Sequence, residues 1–303
     1  MSRPTKVIFP LTGLGRKSAM VRRVKMMPVV DKPLIQYAIE EALSAGFKDM
    51  IFVTGPARRN ADGRLDRGGE LEVALEMRGK TELLEAMRAL VPSHANGVLI
   101  RQPQALGAAH AVLCAKPVVG EEAFAVVLAN ELLDGPACVL EDMAARYESS
   151  RCSIVAVHSP ADDEPTPNGV LRCAAQLDSL LHVMGASDAV KPADDCCTPL
   201  GVVGRYIFSP GFMRHLETLS VPRSRQARLL DAIGVLLRHE KVLAYRIEGK
   251  RYDCRSKLGY LKAMLAFGLA HPEIGGALAR HVEAVAKGIT PCVESSALSR
   301  SGT

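Results

Sequence analysis

The chain opens on a short apolar run, "KVIFPL" over 6–11, rich in β-formers, and then breaks into a glycine turn and a basic stretch, "TGLGRKSAMVRRVK". Residues 31–46, "DKPLIQYAIEEALSAG", carry Leu34, Ile35, Ala38, Ile39, Ala42 and Leu43 at helical spacing, with Asp31 and Pro33 as the start signal and Gly46 as the stop. "DMIFVTG" over 49–55 reads as a second strand, so the opening of the chain predicts a βαβ unit. Such a unit implies a parallel sheet that holds ligands at the carboxyl ends of its strands.

The alternation of apolar and polar segments continues downstream. Residues 56–69 are polar and glycine-rich and predict a loop, and 70–90 predict a charged amphipathic helix. "GVLIRQ" predicts a third strand, "GAAHAVLCAKP" a helix closed by Pro117, and "FAVVLAN" a fourth strand ending at Asn130. A helix is expected over 137–149 and a fifth strand in "CSIVAVHSP". Short strands and polar turns are expected over 160–204, a strand in "GRYIFSP", and helices over 210–218, 225–238 and 256–270. The pattern predicts an α/β fold with a mostly parallel, Rossmann-like sheet flanked by helices.

Composition narrows the function classes. The chain has 303 residues and is 48% hydrophobic, which excludes general disorder. No apolar stretch is long enough to span a membrane, and "MSRPTKVIF" lacks the apolar core of a signal peptide, so a cytoplasmic location without a membrane partner is expected. Net charge is +5, with Lys and Arg concentrated in 16–25, 58–67 and 223–228. Tryptophan is absent and aromatics make up 4%, too few for stacking platforms, so small anionic ligands are expected rather than nucleic acid. The eight cysteines form no C-x-x-C pair and read as buried thiols.

Gly13-Leu14-Gly15 is not the dinucleotide fingerprint, because the third glycine position holds Ser18. Arg16, Lys17, Arg22, Arg23 and Lys25 follow it, close-set cations that repel one another unless they face phosphate or are individually solvated. Asn130 ends an apolar strand at the ligand edge. Asp253, in "RYDCRSK", stands between a short strand and a helix, as a ligand group or as a helix cap. Lys191 sits in an irregular region where a lysine is ordinarily a surface charge, and His110 reads as a satisfied helix histidine.

Together, "TGLG", "PVVDKPLIQY", "IRQ", "GAAHAVLCAKPVVG", "NGV", "VGRYIFSP" and "YDCRSKLGY" resemble, in order, the bacterial UTP–glucose-1-phosphate uridylyltransferases. The resemblance implies a nucleotide-diphospho-sugar transferase fold in one domain over 1–290, about 1–150 forming a nucleotide-binding half and about 151–290 a smaller sugar-side lobe, with a flexible tail over 291–303. It implies attack by glucose 1-phosphate on the α-phosphorus of UTP, in a homodimer or homotetramer, with Mg2+ as cofactor. Gly13, Gly15, Gln102 and Gly107 would bind the nucleotide, and Gly169 and Lys191 the sugar phosphate. Asp253 and Asn130 would hold the metal, and Lys25, Arg16 and Lys17 would serve the reacting phosphates.

Several positions depart from the family pattern. Its T-R is Arg16-Lys17, and its P-K-E-M-L-P is Arg23 to Pro28, with Val24 at the lysine and Lys25 at the glutamate. The aspartate of its L-P-D is Asn130, the glutamate of its E-K-P is Val190, and the glycine of its D-C-G is Arg255. Removing one group that stabilises developing charge costs about 3–4 kcal/mol. The expected activity is therefore uridylyl transfer at reduced efficiency; the alternative is a regulatory paralogue that binds nucleotide or nucleotide-sugar with little or no turnover.

Overall fold

The computed structural model describes residues 3–11, 27–55, 94–104, 106–159, 168–174, 179–188, 197–218 and 228–288. Gly13, Gly15, Arg16, Lys17, Val24, Lys25, Val190 and Lys191, the expected loop 56–69, the expected helix 70–90 and the tail lie outside them.

The opening βαβ unit forms as its pattern requires. β1 (Lys6–Pro10) pairs in parallel with β4 (Asp49–Thr54), joined through the two-residue ladder of β2 (Pro28–Val29) and β3 (Lys32–Pro33) and helix α1 (Leu34–Ser44). Leu34, Ile35, Ala38, Ile39 and Ala42 are the buried residues of α1, the stripe that its spacing predicts. β5 (Asn96–Arg101) extends the sheet on one side of β4 and β6 (Phe124–Val127) on the other side of β1, both in parallel. Helices lie against both faces, so Val7 to Phe9, Met50 to Val53 and all of β6 are buried, and these strands read as unbroken apolar runs rather than alternating ones.

Among the described residues the main sheet has nine strands in the order β5-β4-β1-β6-β11-β8-β12-β10-β9. It is mixed, which corrects the expectation of a mostly parallel sheet. β11 (Cys197–Phe208) runs antiparallel to β6 on one side and to β8 (Ser153–His158) on the other. β8 pairs in parallel with β12 (Val242–Arg246), while β10 (Leu180–Ser187) is antiparallel to both β12 and β9 (Val170–Ala174). β9 also pairs with the first half of β11, closing these five strands into a ring of pairings. An apolar run looks the same in either direction, so strand polarity had no signature in the pattern. Residues 160–204, expected as separate short strands, contain most of the long β11, and β12 was not among the expected elements.

The remaining helices are α2 (Ala108–Cys114), α3 (Lys116–Val119), α4 (Val139–Ser150), α5 (Phe212–Glu217), α6 (Leu229–Leu236), α7 (Lys257–Ala270) and α8 (Gly275–Ala286). One buried cluster unites one sheet face with α2, α5 and α6, and a second unites the other face with α1 and α4. A small antiparallel sheet of β7 (Glu131–Asp134) and β13 (Lys250–Asp253) packs with α7 around Val29, Leu34, Leu132, Cys254 and Ala263. Of the six described cysteines, Cys173 and Cys254 are buried, the other four are half-buried, and all are free thiols. No helix among the described residues is long and apolar enough to cross a membrane.

Candidate active site

The carboxyl ends of β1, β4, β5 and β6 share one edge of the sheet. Leu11 N–H donates to Val53 O at 2.7 Å and Gln102 N–H to Thr54 O at 2.8 Å, so the chain continues the ladder one residue past β1 and β5 before leaving it. β5 and β6 are three strand spacings apart, about 14 Å. β1, whose last described residue Leu11 precedes Gly13 and Gly15, lies between them.

Gln102, at the β5 end of this edge, is fully buried. Its Nε2 donates to Gly107 O at 3.2 Å and also reaches Nδ1 of His110. Burial pushes the His110 pKa down, which keeps the ring neutral and able to accept that hydrogen bond. His110 is therefore the satisfied helix histidine of the sequence reading. The Oε1 of Gln102 is buried with no hydrogen-bond partner among the described residues. An orphaned acceptor of this kind is costly unless something else supplies the donor. Gly107 has φ 99°, a conformation that L side chains rarely adopt, and this lets its carbonyl face Gln102 while α2 begins.

At the other end, β6 stops at Val127, three residues before Asn130, where the expected strand would have continued. Glu131 then opens β7, directly opposite Asp253 in the β13 register. Asn130 is only 8% exposed, and Glu131 is entirely buried among ionic partners. Glu131 accepts from Arg251 Nε at 3.2 Å, Arg255 Nη2 at 2.9 Å, Gly204 N at 3.0 Å and Asn168 Nδ2 at 2.6 Å. Burial alone would raise its pKa; the charges of Arg251 and Arg255, with the hydrogen bonds from Arg251 and Gly204, outweigh that and hold the carboxyl below its ordinary value.

Arg255 joins everything at this end. Its Nε donates to Asp253 Oδ1 at 2.7 Å, Nη2 to Asp253 Oδ2 at 3.1 Å, and Nη1 to Asn168 Oδ1 at 3.0 Å. With the Asn130 amide oriented to satisfy both of its atoms, Nδ2 donates to Leu128 O at 3.3 Å and Oδ1 accepts from Arg255 Nε at 3.0 Å. Asp253 is not the helix cap; Ser256 caps α7, its hydroxyl accepting from Gly259 N. Behind the cluster, buried Arg205 pairs with Glu41 at 2.7 Å and donates to the carbonyls of Leu128 and Glu131, pinning the 128–131 turn.

The pair Asn130 and Asp253 does not fit a magnesium ion. One is a neutral amide, and the other is a carboxylate both of whose oxygens already accept from a guanidinium. A hard divalent cation needs free oxygen donors, carboxylates above all. Among the described residues no cluster of three or more His, Cys, Asp or Glu side chains is placed to hold a metal.

The structure therefore brings Gln102 with Gly107 to one end of the edge, and Asn130 with Asp253 to the other. Gly169 lies next to Asn168; its φ of 97° and the 2.3 Å approach of Leu230 Cδ2 to a Cβ there favour glycine without any ligand. Sequence reading did not reach Asn168, Arg251, Arg205 or Glu41; in an extended strand Glu131 would point away from Asn130 unless the strand ended there, and the strand ends at Val127. A signal existed: a lone Arg within "LGVVGRYIF" and a lone Glu between "FAVVLAN" and "LL" are charges inside apolar runs, which must find partners if buried. A cleft of about 1080 Å³ opens beside Asp253, its mostly apolar lining, with Leu258, Leu265 and Leu269, carrying Arg246, Lys250 and Lys262.

Known proteins share this fold. Residues 18–253 match the nucleotidyl transferase family model. The UTP–glucose-1-phosphate uridylyltransferase of Haemophilus ducreyi is 34% identical over 294 residues, covering 94% of this chain and 100% of its own. The chain belongs to the UTP–glucose-1-phosphate uridylyltransferase family. Among solved structures, a UDP-glucose pyrophosphorylase from Acinetobacter baumannii superposes with a TM-score of 0.72 at 36% identity, over 93% of this chain and 99% of that one. A UTP-bound form from the same organism gives 0.71 at 35%, over 92% and 99%. The mixed sheet is accordingly that of a nucleotidyltransferase-type α/β fold, and the Arg255 cluster is a feature of a uridylyltransferase family member.

Proposed function

We propose that this family member transfers the uridylyl group of UTP to glucose 1-phosphate, giving UDP-glucose and pyrophosphate, in the cytoplasm. The observation that carries the reading is similarity along the whole length of curated uridylyltransferases, with a fold that superposes over 93% of this chain. A phosphate oxygen of the sugar phosphate attacks the α-phosphorus, the bond to the β-phosphate oxygen breaks, and pyrophosphate leaves in line.

In this reading the half up to about residue 150 holds the nucleotide and the smaller half up to about 290 the sugar. Gln102 meets the uracil ring. Its unpartnered Oε1 takes the imide N–H, and its hydrogen bond to Gly107 holds the amide in that orientation. Gly13 and Gly15 cradle the phosphates; Arg16, Lys17 and Lys25 neutralise their charge; Gly169 and Lys191 meet the sugar phosphate. Nucleotidyl transfer in this family generally runs with a divalent metal, for which magnesium is the expectation, but the Asn130–Asp253 pair is not its seat. At the Asn130–Asp253 position, charge neutralisation falls to the chain's own cations. The expected homodimer or homotetramer has a candidate surface in Leu258, Leu261 and Leu265, exposed on α7.

The test is release of pyrophosphate from UTP and glucose 1-phosphate by the purified protein. Release that requires both substrates supports the transferase; heat stabilisation by UTP without any release would move the reading to the nucleotide-binding paralogue.

A further inference from the structure

We infer that Arg255 is a fixed cation: its guanidinium stands between residues 130 and 253, where a bound metal would otherwise sit, so this protein has no resident metal there and faces the substrate phosphates with a charge of its own. The inference rests on the reading of this edge as the phosphate-binding site of a uridylyltransferase.

Three observations support it. The first is geometric. Arg255 donates to Asp253, Asn130, Asn168 and Glu131 at 2.7–3.1 Å, so it already occupies the acceptors that a metal would use. The second is electrostatic. The cluster and its backing contain three carboxylates, Glu41, Glu131 and Asp253, against three guanidiniums, Arg205, Arg251 and Arg255. Glu131, Arg251 and Arg205 are almost wholly buried, and in such a medium the balance matters; adding a divalent ion would leave two positive charges uncompensated. The third is the coupling of two departures from the family pattern. Asparagine for aspartate at 130 removes one negative charge and arginine for glycine at 255 adds a positive one, together the charge of a divalent cation.

The guanidinium also retains something to offer a ligand. Nη2 spends its hydrogens on Glu131 and Asp253, but Nη1 has Asn168 as its one acceptor among the described residues. Its second hydrogen can donate to a phosphate oxygen. The side chain is 10% exposed, which reaches solvent at the mouth of the site while the rest of the group is held rigidly.

Manganese(II) alone, titrated into the nucleotide-free protein and followed by the electron paramagnetic resonance signal of the free ion, tests the metal half. Wild type should leave the signal undiminished up to millimolar ion. The Asn130→Asp, Arg255→Gly double variant should take up one ion per chain at least about tenfold more tightly than wild type, and Asp253→Asn should abolish that uptake. Wild type that binds one ion, lost in Asp253→Asn, overturns the inference. So does a double variant that is folded by circular dichroism and gains none. Should the double variant not fold, Arg255→Gln alone must show the gain. The second half is read from UTP affinity in EDTA: Arg255→Gln should weaken it about tenfold, while Arg255→Lys should recover most of the loss. An unchanged affinity in Arg255→Gln overturns the fixed-cation role. If wild type binds UTP neither with nor without magnesium, the nucleotide reading itself has failed, and the manganese titration still decides the metal half.

Discussion

The two ends of the ligand edge are finished to different degrees. At the Gln102 end, a fully buried amide has one atom satisfied by Gly107 and the other without a partner among the described residues. At the Glu131 end, Glu131 and Asp253 accept through both oxygens from guanidiniums, an amide or a backbone N–H, and only Glu41 Oε1, behind them, is buried without a partner among the described residues. A buried polar atom without a partner is tolerated where a ligand supplies one, and a buried charge is tolerated only when the protein supplies its opposite. The contrast separates a buried amide with an unmet acceptor, which the proposed function assigns to the base, from a cluster that has internalised its counter-charge.

The strongest way to break that comparison is to remove Glu131. Glu131→Ala leaves Arg251 and Arg255 short of their shared carboxylate, and should cost about 3–5 kcal/mol of stability, measured by urea unfolding. A loss below about 1 kcal/mol would mean that the cluster behaves like a surface pair and the contrast is false.

Acid should expose the same group. The Glu131 carboxyl is held below its ordinary 4.5 in the folded protein, so its contribution is fully present above that pH and drains away as pH falls through the depressed value. Each unit of depression is worth about 1.4 kcal/mol. Melting temperature should therefore drop steeply for wild type below pH 4.5, and Glu131→Gln should be less stable at pH 7 yet flatter across that acid window. Parallel curves for the two proteins would remove Glu131 as the titrating group.

At the other end the effect should fall on ligand rather than fold. If Gln102 meets uracil as proposed, Gln102→Leu removes its acceptor and should raise the UTP dissociation constant about tenfold, near 1.4 kcal/mol, with stability changed by less than about 1 kcal/mol. Calorimetry that finds the affinity intact would detach Gln102 from the base.

The smallest expected effect is at Gly107. Placing alanine at φ 99° should cost about 1 kcal/mol and tilt the carbonyl that fixes Gln102. A modest loss of UTP affinity should accompany the loss of stability. Equal affinity in Gly107→Ala would show that the Gln102 amide is positioned by His110 instead.

Much of the first half was legible in the sequence because its signals are local. The α1 stripe, Pro33 at its start and Gly46 after it, and the apolar runs of β1, β4 and β6 depend on residues within one turn or one strand of each other. Gln102 and Gly107, which hydrogen-bond to each other, came from the family motifs and not from local pattern. The family motifs carried the remaining candidate positions, including the asparagine at 130 and the arginine at 255.

What the tertiary structure decided is whatever depends on contacts between distant residues. β11 is antiparallel to β6 and β8 through pairings between residues distant in the chain, and an apolar run carries no arrow. Glu131 turned inward because β6 ends at Val127 and β7 pairs afresh with β13, so the alternation of one continuous strand did not apply. Arg255 meets Asn168 across 87 residues and Glu131 across 124. The sequence supplied each charge of the cluster; that those charges neutralise one another follows from burial, which makes the position of an opposite charge worth far more than its presence elsewhere in the chain.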